Sequence, residues 1–187
     1  AAAAVKLLLV LSMLPVILAG NQIVYTLVEV VPGVAIKFRV DALGMLFACV
    51  AASLWIVTSI YSMGYMRGLK EHSQTRYFVF FALALSATIG VAFSANLLTL
   101  YLFYEMLSLA TYPLVTHHQD REARASGRKY LTYILGTSIG LVLPAMLVCY
   151  HLTGTLEFAN QGFLAGACNQ GLAGVLLVFF IFGFAKA

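Results

Sequence analysis

Charge is scarce in this sequence. Asp, Glu, Lys and Arg together supply 10% of its residues, where an ordinary soluble domain carries about a quarter. So few charges cannot coat a water-soluble globule, and a solvent other than water must face most of the chain. Acidic residues are the scarcer sign, 7 against 11 basic, for a formal charge of +4. That excess does not point to nucleic acid. The basic residues fall in short connecting segments or near helix ends, Lys186 excepted, and no basic stripe with interleaved aromatics occurs. Cysteine is nearly absent. Cys49, Cys149 and Cys168 have neither C-x-x-C nor Cys/His ligand spacing, and the first two lie in apolar runs that suit inert buried thiols. Also missing are a phosphate-binding glycine loop, a metal-ligand cluster and a nucleophile with a base at usable spacing. An autonomous redox or hydrolytic enzyme therefore has no support in the residues.

What the chain has in abundance is long apolar runs, with 62% of its residues hydrophobic. A helix rising 1.5 Å per residue needs roughly 20 apolar residues to cross about 30 Å of hydrocarbon. Segments 5–20, 41–63, 77–94, 96–116, 129–150 and 171–187 qualify or nearly so. The first has a lysine ahead of its apolar run, as a signal peptide would, but five further apolar segments make it a membrane helix. The third and fourth are too long for one span and divide at Ser94-Ala95-Asn96. The expected fold is all-α, a polytopic transmembrane bundle of about six helices. The exception is 21–40, where two β-prone stretches, Ile23–Glu29 and Val34–Arg39, flank Pro32-Gly33 and predict a small extracytoplasmic hairpin. Gly136 and Gly140, four residues apart, predict a close helix contact.

Six spans put Lys6 and the connections 64–76 and 117–129 on one side. Arg67, Lys70, Arg76, Arg121, Arg124, Arg128 and Lys129 lie there too, against Lys37 and Arg39 opposite. The bias predicts that the N-terminus of this chain is cytoplasmic.

Within the apolar runs, two ionisable residues stand out. Glu105 lies about nine residues into the fourth segment, where an ionised carboxylate costs about 3 kcal/mol or more unless it is neutral, paired or facing water. Burial disfavours the charged form and a nearby cation favours it. A group balanced between the two can exchange a proton, as a relay requires; the other reading is a static ion pair that fixes helix packing. Lys186 offers the same choice between a proton carrier and a lysine snorkelling from a helix end. No helix-stop signal precedes the last residue, so the chain is expected to be truncated there. Pro113 and Pro144 interrupt predicted spans and can kink them. His117 and His118, beside Asp120, Arg121 and Glu122, could receive protons at a channel mouth, or be an ordinary solvated loop.

In order and spacing, these residues resemble a known family. Asp41–Phe47, Tyr61–Met66, Arg76–Phe81, Asn96–Leu98 with Tyr104-Glu105, Lys129–Leu131, Thr153–Phe158 and Gly183–Ala187 resemble the antiporter-like subunits of respiratory complex I. Mrp-type cation/proton antiporters and membrane-bound hydrogenases have subunits of the same family. The resemblance implies a subunit of about fourteen helices, in which a glutamate on the fifth helix pairs with a lysine on the seventh along a hydrated polar axis. Glu105 and Lys186 match those positions but fall on the fourth and sixth predicted helices, so one helix is expected to be missing N-terminally and a second half C-terminally. Residues 1–187 would then be part of a proton-translocation domain.

The resemblance further implies other membrane subunits as partners, with peripheral iron–sulfur subunits or a cation gradient as the driving side. Protons, with or without sodium, would be the cargo, and no cofactor is expected in this chain. The expected location is a bacterial or archaeal inner membrane. The alternative is a structural subunit in which the same Glu105–Lys186 pair is static.

Overall fold

In the computed structural model, residues 2–159, 162, 164 and 166–185 are described. The chain runs α1 (Ala2–Leu18), β1 (Ile23–Val31), β2 (Val34–Val40), α2 (Ala42–Gly68), α3 (Gln74–Ala92), α4 (Leu97–Val115), α5 (Arg121–Thr137), a π-helical turn (Ser138–Val142), α6 (Leu143–Thr153) and α7 (Gln170–Phe184). α5, the π turn and α6 form one continuous helix, Arg121–Thr153. The six expected apolar helices are therefore all present. α2, α3, α4 and Arg121–Thr153 are long and apolar enough to cross a membrane, while α1 and α7 are shorter apolar helices.

Local chemistry sets the boundaries. Asp41, Asn96, Asp120 and Asn169 each accept a backbone N–H from three residues on, at 2.6–2.8 Å. Each thereby caps the N-terminus of α2, α4, α5 or α7. The Asp120 cap starts α5 eight residues before the apolar run at 129, so Arg121, Arg124, Arg128 and Lys129 belong to a helix end rather than a loop. Pro144 has no N–H for the carbonyl four residues back. The turn just before it is wound with i to i−5 bonding, Leu143 N–H donating to Ser138 O.

The hairpin forms where Pro32-Gly33 predicts it. β1 and β2 are antiparallel with Val31 opposite Val34 and Ile23 opposite Val40. Gly33 takes φ +78°, the left-handed position that a proline-first turn needs at its second residue. β2 then docks on the bundle. Arg39 N–H donates to Phe93 O at 2.7 Å, and Ala95 N–H to Lys37 O at 3.0 Å. Val40 joins a core with Val10, Met45, Ala48, Ala52 and Phe93. Val34 joins a second core with Leu97, Tyr101, Val142, Met146 and Leu176. One strand thus bridges the α1–α2 pair and the α4–α6–α7 group.

Around these cores the outward faces carry large apolar side chains, among them Leu8, Leu43, Ile60, Leu109, Leu147 and Phe182, all exposed. Such a belt suits lipid and not water.

Close helix contacts come from other glycines than the pair expected. A Cβ at Gly90 would collide with the Phe103 ring, at Gly127 with Thr116 and Tyr112, and at Gly183 with Val142, whereas nothing lies within 4 Å at Gly136 or Gly140. Gly136 on α5 and Gly140 in the π turn keep the four-residue spacing, but neither meets a described neighbour there.

Candidate functional site

Glu105 is the ninth of the 19 residues of α4. Both carboxylate oxygens are buried and have no hydrogen-bond partner among the described residues. Such a group costs its full desolvation penalty unless something outside the described set compensates it. The preceding residue fixes the local frame. The Tyr104 hydroxyl donates to Phe184 O at 2.6 Å, and the two rings meet edge to face at 5.0 Å. The described end of α7 therefore docks against the middle of α4, beside Glu105. Lys186 lies outside the described residues. Toward the other end of α4, the Ser108 hydroxyl donates to Tyr104 O at 2.9 Å. One turn further on, the Thr111 hydroxyl lies 2.6 Å from the Tyr130 hydroxyl of α5.

The α2–α3 and α4–α5 connections share one end of the bundle, as the alternation of spans requires. Arg76 Nη2 donates to His117 O at 2.6 Å and ties them together. Around this tie three histidines and a glutamate converge. His72 Nδ1 is 3.7 Å and His117 Nε2 3.8 Å from Glu71 Oε2. The ring centroids of His72 and His117 are 5.0 Å apart, and those of His72 and His118 6.1 Å. His117 is mostly buried, with neither ring nitrogen hydrogen-bonded among the described residues. Burial pushes its imidazole below the ordinary histidine range; His72 and Arg76 push the same way, and Glu71 opposes them. The net effect favours the neutral form of His117. His118 is exposed. One donor atom each from Glu71, His72 and His118 lies within 4.8 Å of the others. The sequence gives no sign of this grouping, because its members sit on two connections separated by two full helices.

The ion pair found among the described residues was also not anticipated. Lys37 Nζ bonds Glu157 Oε2 at 3.1 Å, joining β2 to the segment after α6. Asn96 completes the junction, donating through Nδ2 to Ala35 O at 2.7 Å and to Glu157 Oε1 at 3.4 Å. This junction lies at the hairpin end, away from the histidines. Lys6 was expected at the basic edge. Instead its ammonium group sits over the Trp55 ring, 4.7 Å from the centroid, and reaches Leu85 O at 3.4 Å. Leu85 is in the middle of α3, so Lys6 lies deeper than the edge.

Comparison with known proteins bears on what this bundle is. Residues 94–186 match the family described as NADH:quinone oxidoreductase/Mrp antiporter, TM. Residues 33–78 match the family described as NADH-ubiquinone oxidoreductase (complex I), chain 5 N-terminus. The NAD(P)H-quinone oxidoreductase chain 5 of Picosynechococcus sp. is 30% identical over 127 residues, 67% of this chain and 18% of that protein. One subunit of the Na(+)/H(+) antiporter of Alkalihalophilus pseudofirmus is 29% identical over 131 residues, 68% of this chain and 16% of that protein. The chain thus spans less than a fifth of the length of these curated relatives.

The fold is also that of a chain in the membrane-bound sulfane sulfur reductase, an archaeal respiratory membrane complex. The TM-score is 0.79 at 22% identity, over 97% of this chain and 37% of that one. The apolar helices and these matches agree on an integral membrane protein. The two family matches, one ending in the first turns of α3 and the other beginning at the α3–α4 break, together take in most of the chain, which belongs to the antiporter-like membrane subunits shared by NADH:quinone oxidoreductases and Mrp antiporters.

Proposed function

We propose that residues 1–187 are part of a proton-translocating membrane subunit of a multisubunit complex, with Glu105 and Lys186 as a coupled relay pair. The observation that carries the reading is the Glu105 carboxylate, buried near the middle of α4 without a hydrogen-bond partner among the described residues. Evolution tolerates such a group in a membrane helix mainly where it handles charge. A second support is the docking of Phe184, two residues before Lys186, on the residue next to Glu105.

The mechanism is electrostatic. With the pair close, the carboxylate stabilises the charged lysine. At an effective dielectric near 20, separation from about 4 to about 8 Å weakens the attraction by roughly 2 kcal/mol, about thirtyfold in protonation equilibrium. That is enough to release the lysine proton onward. Ser108, Thr111 and Tyr130 supply hydroxyls between Glu105 and the basic end. His117 and His118 stand at that end, where protons would be taken up. The excess of basic residues there favours its facing the cytoplasm of a bacterial or archaeal cell. The driving reaction belongs to partners: other membrane subunits, together with iron–sulfur redox subunits or a sodium gradient.

The competing reading is a static Glu105–Lys186 ion pair. The test is a double-mutant cycle of Glu105→Gln and Lys186→Met in the assembled complex. A relay predicts that each single variant assembles but does not pump, and that the double variant is no worse. A static pair predicts that each single variant loses assembly, because a buried charge is left unpaired, and that the double variant recovers it.

A further inference from the structure

We propose that Glu71, His72 and His118 form a binding site for a divalent transition-metal ion of the zinc class, which cross-links the α2–α3 and α4–α5 connections. The site rests on geometry; it shares His118 with the proton-uptake end proposed above, but metal binding is read without reference to transport.

The three donor atoms lie within 4.8 Å of one another. Bonds of about 2.0–2.1 Å to a tetrahedral ion put ligand atoms roughly 3.3 Å apart, so the donors need to close by up to about 1.5 Å. His72 and His118 are exposed and can turn through that distance without disturbing the core. The backbone beneath them is held. Glu71 N–H donates to Met66 O at 2.9 Å, and Gln119 N–H to Thr116 O at 3.1 Å. The Gln74 side-chain amide donates to Glu71 O at 3.1 Å. Lys70, Ser73 and Gln119, in these two connections, all have φ between +52° and +58°, the left-handed region that favours glycine.

The donor set selects the ion. Two imidazoles and one carboxylate with an open fourth position suit zinc and its first-row neighbours. Calcium and magnesium prefer oxygen ligands, and copper(I) prefers sulfur. A second observation points the same way. Both ring nitrogens of the mostly buried His117 lack a hydrogen-bond partner among the described residues, and Nε2 faces Glu71 Oε2 at 3.8 Å. An ion held by Glu71 gives that nitrogen a lone-pair acceptor. Arg76, which acts on His117, opposes a cation here, which makes the site one of moderate affinity.

The experiment uses the full-length protein in its native complex, purified in mild detergent and stripped with chelator. Zinc(II) is titrated by calorimetry and cobalt(II) by its visible ligand-field absorbance. The result expected is binding that weakens at least about tenfold in His72→Ala and in His118→Ala, and that survives in His151→Ala and Cys168→Ser. Glu71→Gln, which keeps the shape of the side chain, weakens it as well. Unchanged binding in the His72 and His118 variants overturns the proposal, as does wild-type protein that takes up neither ion. Proton pumping enters none of these readings, so failure of this site and failure of the relay are distinguishable.

Discussion

The Tyr104 hydroxyl donates to the Phe184 carbonyl at 2.6 Å, across the contact between α4 and α7. A side-chain bond to a carbonyl at the end of a helix fixes where that helix stops against its neighbour, and here it does so one residue from Glu105. Tyr104→Phe keeps the edge-to-face ring contact and removes only the hydroxyl. The loss expected is about 1 kcal/mol of stability, read by thermal unfolding in detergent. Transport falls with it if the position of α7 matters to the relay.

At the hairpin end, two changes that look alike differ in size. The Lys37–Glu157 pair is about one-third exposed on each side, so Lys37→Met costs less than about 1 kcal/mol. Asn96 is 1% exposed, and it caps α4 while bonding Ala35 and Glu157. Asn96→Ala leaves Ala35 O and Thr99 N–H without those partners and costs about 1–3 kcal/mol. Thermal denaturation of the two variants side by side checks the order.

Glycine substitutions separate helix contacts from open faces. Gly90→Ala forces a methyl group into the Phe103 ring, which the α3–α4 contact accommodates only by moving, at a cost of about 1–3 kcal/mol. Gly136→Ala meets nothing within 4 Å and gains up to about 1 kcal/mol in helix propensity. Opposite signs in unfolding measurements on this chain bear out the assignment; equal effects contradict it.

Much of the bundle was legible because solvent chemistry writes it directly into composition. Apolar runs, the Ser94–Asn96 break and the Pro32-Gly33 turn each have a local cause, and the structure follows them. Features that depend on which elements meet were not legible. Gly136 and Gly140 carry a spacing that permits contact, but only the packing of α3 on α4, α5 on α4 and α7 on the π turn decides that Gly90, Gly127 and Gly183 make it. The grouping of Glu71, His72, His117 and His118 needs two distant connections to fold onto one end. Lys6 looked like an edge residue because it lies near the start of its apolar run; its contacts with Trp55 and Leu85 come from the placement of α1. For the candidate relay, Glu105 was legible from cost alone, a carboxylate far from any polar stretch. Its surroundings, including the Tyr104–Phe184 bond, were not.

The central claim rests on Glu105, and the most direct measurement is proton flux by the assembled complex in proteoliposomes, comparing wild type with Glu105→Gln. The substitution keeps the shape of the side chain and removes its ability to ionise. The account predicts that the variant assembles with its partner subunits and that flux is lost. Wild-type flux from an intact Glu105→Gln complex contradicts it.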